Sequence, residues 1–360
     1  MLFIFDWRMA GIVLGLTALG ILAIWSGNLG SPSPYKQSLY LRQALWLLIG
    51  LFALVAAAIM NYRVLARLAY LIYGVALVLL VVVAAAGQVG FGAQRWLRIG
   101  FLSLQPSEFM KLALILVLAR YFEDHKGRLR DLRILGIPIL LAVVPTLLIL
   151  RQPDLGTAAT FGLLTLSILL LVGLKMKHLL LLGLGGAALT PILWSLLKDY
   201  QKQRLLVFLN PNLDPLGSGY HIAQSKIAVG SGELFGKGLM AASQSQLNFL
   251  PASHTDFIFA VLAEQWGFVG CLLLLLLYYL LITRGIEIAG EAKDLFGAVM
   301  TFGIVVGMTL QLVVNVGMVI GIMPVVGLPL PLVSYGGSSL LVTLTSIGLV
   351  ISVHMRRFLY

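Results

Sequence analysis

Charge is what this 360-residue chain has least of. Asp, Glu, Lys and Arg make up 11% of it against 60% hydrophobic residues. With a mean hydropathy of +0.99, that leaves too little polar surface to cover a water-soluble globule. The composition is that of an integral membrane protein. Acids are scarcer than bases, 14 Asp and Glu against 25 Lys and Arg, so each carboxylate near an apolar run calls for a reason. The single cysteine, Cys271, stands inside an apolar run, which excludes an intramolecular disulfide and leaves the redox compartment unread. It reads as a small packed hydrophobe. Period-2 alternation is missing, which argues against a membrane barrel. Walker spacing and a dinucleotide fingerprint are also missing, so the many glycines give only a weak signal for a nucleotide.

The apolar residues gather into about ten runs of membrane-spanning length. They lie near 9–27, 40–60, 65–87, 107–121, 133–150, 155–174, 178–197, 257–283, 296–320 and 332–354. Short charged linkers separate them, as in a helical bundle. The first run lacks a small-residue cleavage site and reads as a retained anchor. The fold class expected is all-α: a polytopic membrane protein forming one membrane domain over 1–360. Within it, 198–256 is a large extracytoplasmic loop carrying interfacial helices.

Orientation follows from the basic residues of the short loops. Arg63 and Arg67, the cluster from Arg120 to Arg133, Lys175 and Lys177, Arg284 and Lys293, and Arg356 and Arg357 share one side, which the positive-inside rule makes cytoplasmic. Both termini then lie in the cytoplasm. The stretches Gln88 to Pro106, Arg151 to Pro153 and Lys198 to His254 lie outside.

Some cations remain on that outer face. Arg95 and Arg98 sit in FGAQRWLRIG, and Lys202, Arg204, Lys226 and Lys237 lie in the long loop. They read either as headgroup contacts or, taken together, as ligands for an anion such as a diphosphate. Glu108 and Lys111, at i and i+3 after Gln105-Pro106-Ser107, share a helical face and form an ion pair if that face points inward. Asp154 in RQPDLG suits a helix cap. In the long loop, 198–209 reads as an interfacial helix and Tyr220 to Val229 as a second, stopped by Gly230-Ser231-Gly232.

The most informative boundary is GKGLMAASQSQLNFLPASHTDFIFA, at 236–260, where a polar loop ends in Asp256 and a long apolar run begins. A carboxylate there signals chemistry or ligand binding at a membrane face, or an N-cap before Phe257. His254 has no neighbouring Cys, His or carboxylate at metal-ligand spacing, which favours a structural hydrogen bond. Ser334, in SYGGSS, belongs to either a substrate-lining turn or a tight helix entry. Pro324, Pro329 and Pro331 permit broken helices around a cavity.

The strings GAQRWLRIG, LQPSEFMK, RQPDLGTA, DPLGSGYHIAQSKIAVGSGELFGKGL, FLPASHTDFIFAVLAEQWGFVG and MPVVGLPLPLVSYGGSS, in this order, resemble the shape, elongation, division and sporulation family, which includes RodA, FtsW and SpoVE. The stretch from GKG to SQSQLNFLP is more similar to the elongation member RodA. The resemblance implies a peptidoglycan glycosyltransferase of the cytoplasmic membrane that polymerises lipid II, an undecaprenyl-diphosphate-linked disaccharide peptide, on the outer face. It implies a class B penicillin-binding protein and other elongation-complex membrane proteins as partners, and no nucleic acid. It makes Asp256 the residue most tied to activity and maps the family's Glu and Lys onto Glu108 and Lys111. The chain departs from the family at Ala252, where Glu is common, and at Val326, where Thr is common.

Joining two sugars needs a base for the acceptor hydroxyl and electrostatic help for the leaving diphosphate. Asp256 is the expected base of an inverting reaction. Arg95, Arg98, Arg204, Lys226 and Lys237 are the expected diphosphate contacts, Glu108 and Lys111 the pair shaping the cavity, and Ser334 a substrate-lining hydroxyl. A divalent cation, Mg or Mn, bridging the diphosphate is compatible with the chemistry, but no ligand spacing specifies one. A lipid II flippase and a non-catalytic scaffold for a penicillin-binding protein stay open as alternatives.

Overall fold

The computed structural model describes residues 5–30, 33–90, 93–99, 102–128, 132–173, 177–178, 183–185, 191, 194–195, 199–210, 213–214, 217–239, 249–250 and 252–357. Helices dominate. In chain order they are α1 Trp7–Gly27, α2 Pro34–Gln37, α3 Leu39–Ile59, α4 Tyr62–Ala86, α5 Pro106–Asp124, α6 Gly136–Arg151 and α7 Leu155–Leu171. Then come α8 Asp199–Leu209, α9 Ser218–Ser231, α10 Ile258–Gly290, α11 Leu295–Val319 and α12 Gly337–Arg356.

Six of these, α1, α3, α4, α10, α11 and α12, are long and apolar enough to cross a membrane. Helix α5 matches the expected run at 107–121 but carries ionic residues at both ends. Helices α6 and α7, of 16 and 17 residues, are shorter. At about 1.5 Å rise per residue they fall slightly below the hydrocarbon thickness. The run expected at 178–197 lies mostly outside the described residues. The two helices read in the long loop appear as α8 and α9, the latter ending at Gly232 as its glycines predict.

Side-chain bonds between neighbouring helices define two polar ends. Helices α1 and α10 are tied by Arg284 to Asp6 at 2.6 Å near one end and by Ser26 to Gln265 at 2.7 Å near the other. Helices α3 and α12 run parallel. Gln43 donates to the Ser334 carbonyl at 3.1 Å just before α12 begins, and Ser352 donates to the Met60 carbonyl at 2.7 Å near its finish. Helix α11 is the hub of the bundle, packing against α5, α7, α10 and α12 with Val299, Met300, Ile304 and Met318 buried.

Two features depart from the sequence expectation. The first is a small antiparallel sheet in the connection between α4 and α5, β1 Gln88–Gly90, β2 Ala93–Ile99 and β3 Leu102–Leu104, with Gln88 opposite Trp96 and Arg98 opposite Ser103. Strands of three and seven residues vanish inside a hydropathy window of about 19 residues. The second is a break in α10 at Gly267, where φ is +65°. In an unbroken helix the N–H groups of residues 268 and 269 would bond to the carbonyls of 264 and 265. Here the loop after α9 takes all four groups. Lys237 and Gly238 N–H donate to the Glu264 and Gln265 carbonyls, each at 3.0 Å, while Phe268 and Val269 N–H donate to the Glu233 and Leu234 carbonyls at 2.9 and 3.1 Å. Backbone groups at membrane depth have to be satisfied within the protein, and this loop satisfies them. A Cβ on Gly267 would stand 2.3 Å from the Gly236 nitrogen, so the approach requires glycine.

Candidate active site

The chain from Ala252 to Phe257 forms a series of turns that ends where α10 starts at Ile258. The helix N-cap is Phe257, with no side-chain cap, so Asp256 is free of the capping role the sequence left open. Three consecutive carbonyls fix this turn. His254 O accepts from Tyr335 N–H at 2.8 Å, Thr255 O from the Ser334 hydroxyl at 2.6 Å, and Asp256 O from the Asn315 amide at 2.9 Å. The donors come from the end of α11 and the segment before α12, which are distant in sequence and adjacent in the fold.

The Asp256 carboxylate is left without an ion pair among the described residues. It lies against Gly327, where a Cβ would be 3.3 Å from Oδ2. Burial pushes its pKa up from 3.8 to about 6, against the opposing pull of Arg204 and Arg95 and with a small contribution from Asp154. A carboxylate in that range is a better proton acceptor near neutral pH than an ordinary one.

Arg95, on β2, reaches the turn between α6 and α7. It donates to the Gln152 carbonyl at 3.3 Å and to the Pro153 carbonyl, and stands 3.5 Å from the Asp154 carboxylate. Asp154 also caps α7 by accepting from Thr157 N–H at 3.1 Å, as its sequence context suggested. A pocket opens beside this turn. It is lined by Pro153 and Leu155, by Gln201, Arg204 and Leu205 of α8, and by Pro324 to Val326. Val326 adjoins Gly327, so the pocket and the Asp256 carboxylate share one segment of wall.

The other expected contacts fall differently. Glu108 and Lys111 form the ion pair their spacing predicts, at 2.8 Å with Glu108 buried, and the start of α5 is joined to α12 by a bond from Gln105 N–H to the Ser338 hydroxyl. Lys237 faces the buried Glu264 at 3.5 Å beside the break in α10. Lys226 lies over Gly321. The Ser334 hydroxyl is occupied, donating to Thr255 O and accepting from Leu330 N–H at 2.8 Å, so it holds the turn in place. The side chain of Arg98 lies outside what is described.

Sequence reading missed Asn315 and Gln43, lone amides in apolar runs. Their signal was available, because polar groups inside a span mark interior contacts. It also missed Lys36 and Arg42 on the other flank of the turn. Burial and the charge of Lys36 push the His254 pKa down to about 4, which keeps the imidazole neutral. The ring packs edge-on against Tyr335, while Arg42 stacks over Tyr35 at 4.5 Å.

A family model described as a cell cycle protein, covering FtsW, RodA and SpoVE, matches residues 7–358. The chain belongs to this family. Among relatives of this FtsW/RodA/SpoVE member, the peptidoglycan glycosyltransferase MrdB of Escherichia coli strain K12 is 46% identical over 353 residues, covering 98% of this chain and 94% of the relative. Stage V sporulation protein E of Bacillus subtilis is 37% identical over 350 residues, covering 95% and 94%. Of solved structures, a chain from a study titled "Structural coordination of polymerization and crosslinking by a peptidoglycan synthase complex" superposes with a TM-score of 0.83 at 36% identity, covering 99% of both chains. The rod shape determining protein RodA of Thermus thermophilus gives 0.72 at 33% identity, covering 99% and 98%.

Proposed function

We propose that this chain is a peptidoglycan glycosyltransferase that polymerises lipid II in cell elongation and shape control. The observation that carries this reading is the Asp256 carboxylate, raised to about 6 and lacking a direct ion-pair partner among the described residues, in a chain 46% identical from end to end to a named enzyme of that activity.

Asp256 takes the proton of an acceptor sugar hydroxyl as its oxygen attacks the anomeric carbon of a second lipid-linked sugar. The bond from that carbon to the diphosphate oxygen breaks, and the lipid diphosphate leaves with the electron pair. One base suffices, because displacement from the opposite face inverts the centre without a covalent sugar intermediate. Arg204 at the pocket rim supplies charge for the diphosphate. Arg95 contributes while holding the Pro153 turn, with Arg98, Lys226 and Lys237 further along the outer face and Glu108 with Lys111 shaping the cavity. Ser334 acts through the backbone of the turn. Among the described residues no group of three or more His, Cys, Asp or Glu gathers into a metal site. A Mg or Mn ion, if one takes part, would be held by one or two carboxylates such as Asp256 together with the substrate's phosphate oxygens.

The proposed setting is a single multi-pass domain of the cytoplasmic membrane with both termini inside, the 198–256 loop and Asp256 outside, and a class B penicillin-binding protein as partner. The test is polymerisation of purified lipid II by this protein with that partner, wild type beside Asp256→Ala, with and without a chelator. Polymer made at the wild-type rate by Asp256→Ala would overturn the assignment of the base. Movement of labelled lipid II between leaflets without polymer would turn the reading to a flippase.

A further inference from the structure

Asn315 is fully buried at the outer end of α11, and its amide does two things at once. One hydrogen goes to the Asp256 carbonyl at 2.9 Å and the other to the Leu328 carbonyl at 2.7 Å. Both partners are acceptors only, so the amide nitrogen, not the oxygen, has to face them. Leu328 follows Gly327, the residue whose backbone lies against Asp256 Oδ2. A single planar group therefore ties the backbone beneath the carboxylate to the segment covering it. The amide oxygen of Asn315 is buried without a hydrogen-bond partner among the described residues, a penalty that an apolar side chain of the same size would not carry. The two donated bonds are what such a residue contributes here.

We infer that Asn315 is a positioning residue for glycosyl transfer: its forked amide sets the depth of the Asp256 carboxylate beneath the Gly327 segment. This rests on Asp256 being the base. The Ser334 hydroxyl also joins the turn to this segment, at Thr255 O and Leu330 N–H, but it is Asn315 that bonds the carbonyl of Asp256 itself and the residue directly after Gly327. A transferred proton needs its acceptor within hydrogen-bond reach of the sugar hydroxyl, so a turn free to shift by a fraction of an ångström slows the chemical step while leaving lipid binding largely intact.

The test measures lipid II polymerisation against pH for the protein with its penicillin-binding partner, in wild type, Asn315→Ala, Asn315→Asp and Gln311→Ala. Gln311 lies one turn back on the same helix and makes no bond to the turn, so its variant reports general damage to α11. Asn315→Ala is expected to lower kcat about 10- to 100-fold with KM for lipid II within about twofold. Its rate profile moves to lower pH as water reaches the loosened carboxylate. Asn315→Asp loses kcat similarly, but its profile moves to higher pH, because a second carboxylate beside Asp256 disfavours ionisation. A merely structural role would not shift the two profiles in opposite directions. Unshifted profiles, or wild-type kcat in Asn315→Ala, overturn the inference. If Asn315→Ala does not accumulate in the membrane, the near-isosteric Asn315→Asp decides alone, and an unshifted profile there is fatal to the idea. Polymerisation surviving in Asp256→Ala would instead remove the base beneath it, a separate failure.

Discussion

Asp6 and Asp256 are the same residue type, each placed just before a membrane-spanning helix at opposite polar ends of the bundle, and the protein treats them oppositely. Asp6 is buried, which alone would push its pKa up. The Met9 N–H at 3.0 Å and the Arg284 guanidinium at 2.6 Å outweigh that and hold it below 3.8. Asp256 feels Arg204 and Arg95 only at a distance, so burial wins and its pKa climbs to about 6. Elsewhere at the Asp6 end, Asp294 receives Tyr62 at 2.9 Å and Arg63 at 3.2 Å, and Glu291 meets Arg357. One end spends its charge on cohesion; the other keeps a carboxylate available. The difference lies in direct contacts as well as in desolvation.

The largest effect that would break this contrast is on turnover. Asp256→Asn should lower lipid II polymerisation by at least about 100-fold while the protein remains folded. Asp6→Ala should leave turnover per folded molecule near wild type and lower stability by about 2–3 kcal/mol, because Arg284 loses its buried partner but keeps Glu287. Equal activity losses in the two variants, measured on detergent-purified protein, would erase the distinction.

Next in size is the break in α10. Gly267→Ala should cost about 2–3 kcal/mol, since the new Cβ meets the Gly236 nitrogen at a backbone angle L-residues seldom adopt. Thermal melting beside Gly290→Ala, where nothing lies within 4 Å of the added carbon, isolates the contact.

The pH dependence of stability sharpens the comparison, because the two acids have opposite signs. The folded-state pKa of Asp256 is raised, so its stabilising contribution is complete below 3.8 and is lost as pH climbs through about 6. Asp256→Asn should therefore raise the melting temperature more at pH 8 than at pH 4.5. That of Asp6 is lowered, so its contribution is present above 3.8 and lost as pH falls through the folded value. Asp6→Asn should therefore do its damage at neutral pH and progressively less in acid. Parallel slopes for the two variants would contradict the assignment.

The smallest effect concerns the turn itself. Ala252 holds φ at +51°, in the left-handed region. Ala252→Gly should raise stability by about 0.5 kcal/mol, visible as a slight increase in melting temperature.

Which parts of this were legible beforehand follows from how far each signal reaches along the chain. Long apolar runs announce α1, α3, α4, α10, α11 and α12, because the bilayer imposes a length on them. The pair Glu108 and Lys111 was readable from helical spacing. Asp256 stood out as an acid on an apolar boundary, and the family resemblance supplied the role proposed for it. The break at Gly267 was hidden, since a glycine amid apolar residues does not change a window average and the loop that satisfies it lies some thirty residues upstream. Arg95 looked like a free cation because nothing local in FGAQRWLRIG points to the Pro153 turn. The roles of Ser334 and Asn315 were equally out of reach, each depending on carbonyls far away in sequence.

The Gly267 break also redraws the edge of the membrane domain. By composition, the polar loop ends near Asp256, and everything before it looks like permissive surface. In the fold, residues 233–238 supply the hydrogen bonds that α10 lacks, so this piece of loop is a structural part of a transmembrane helix. A tag or fluorophore inserted there would act as a lesion in the bundle, as damaging as one placed at Glu264 or Phe268. Hydropathy would have recommended the site.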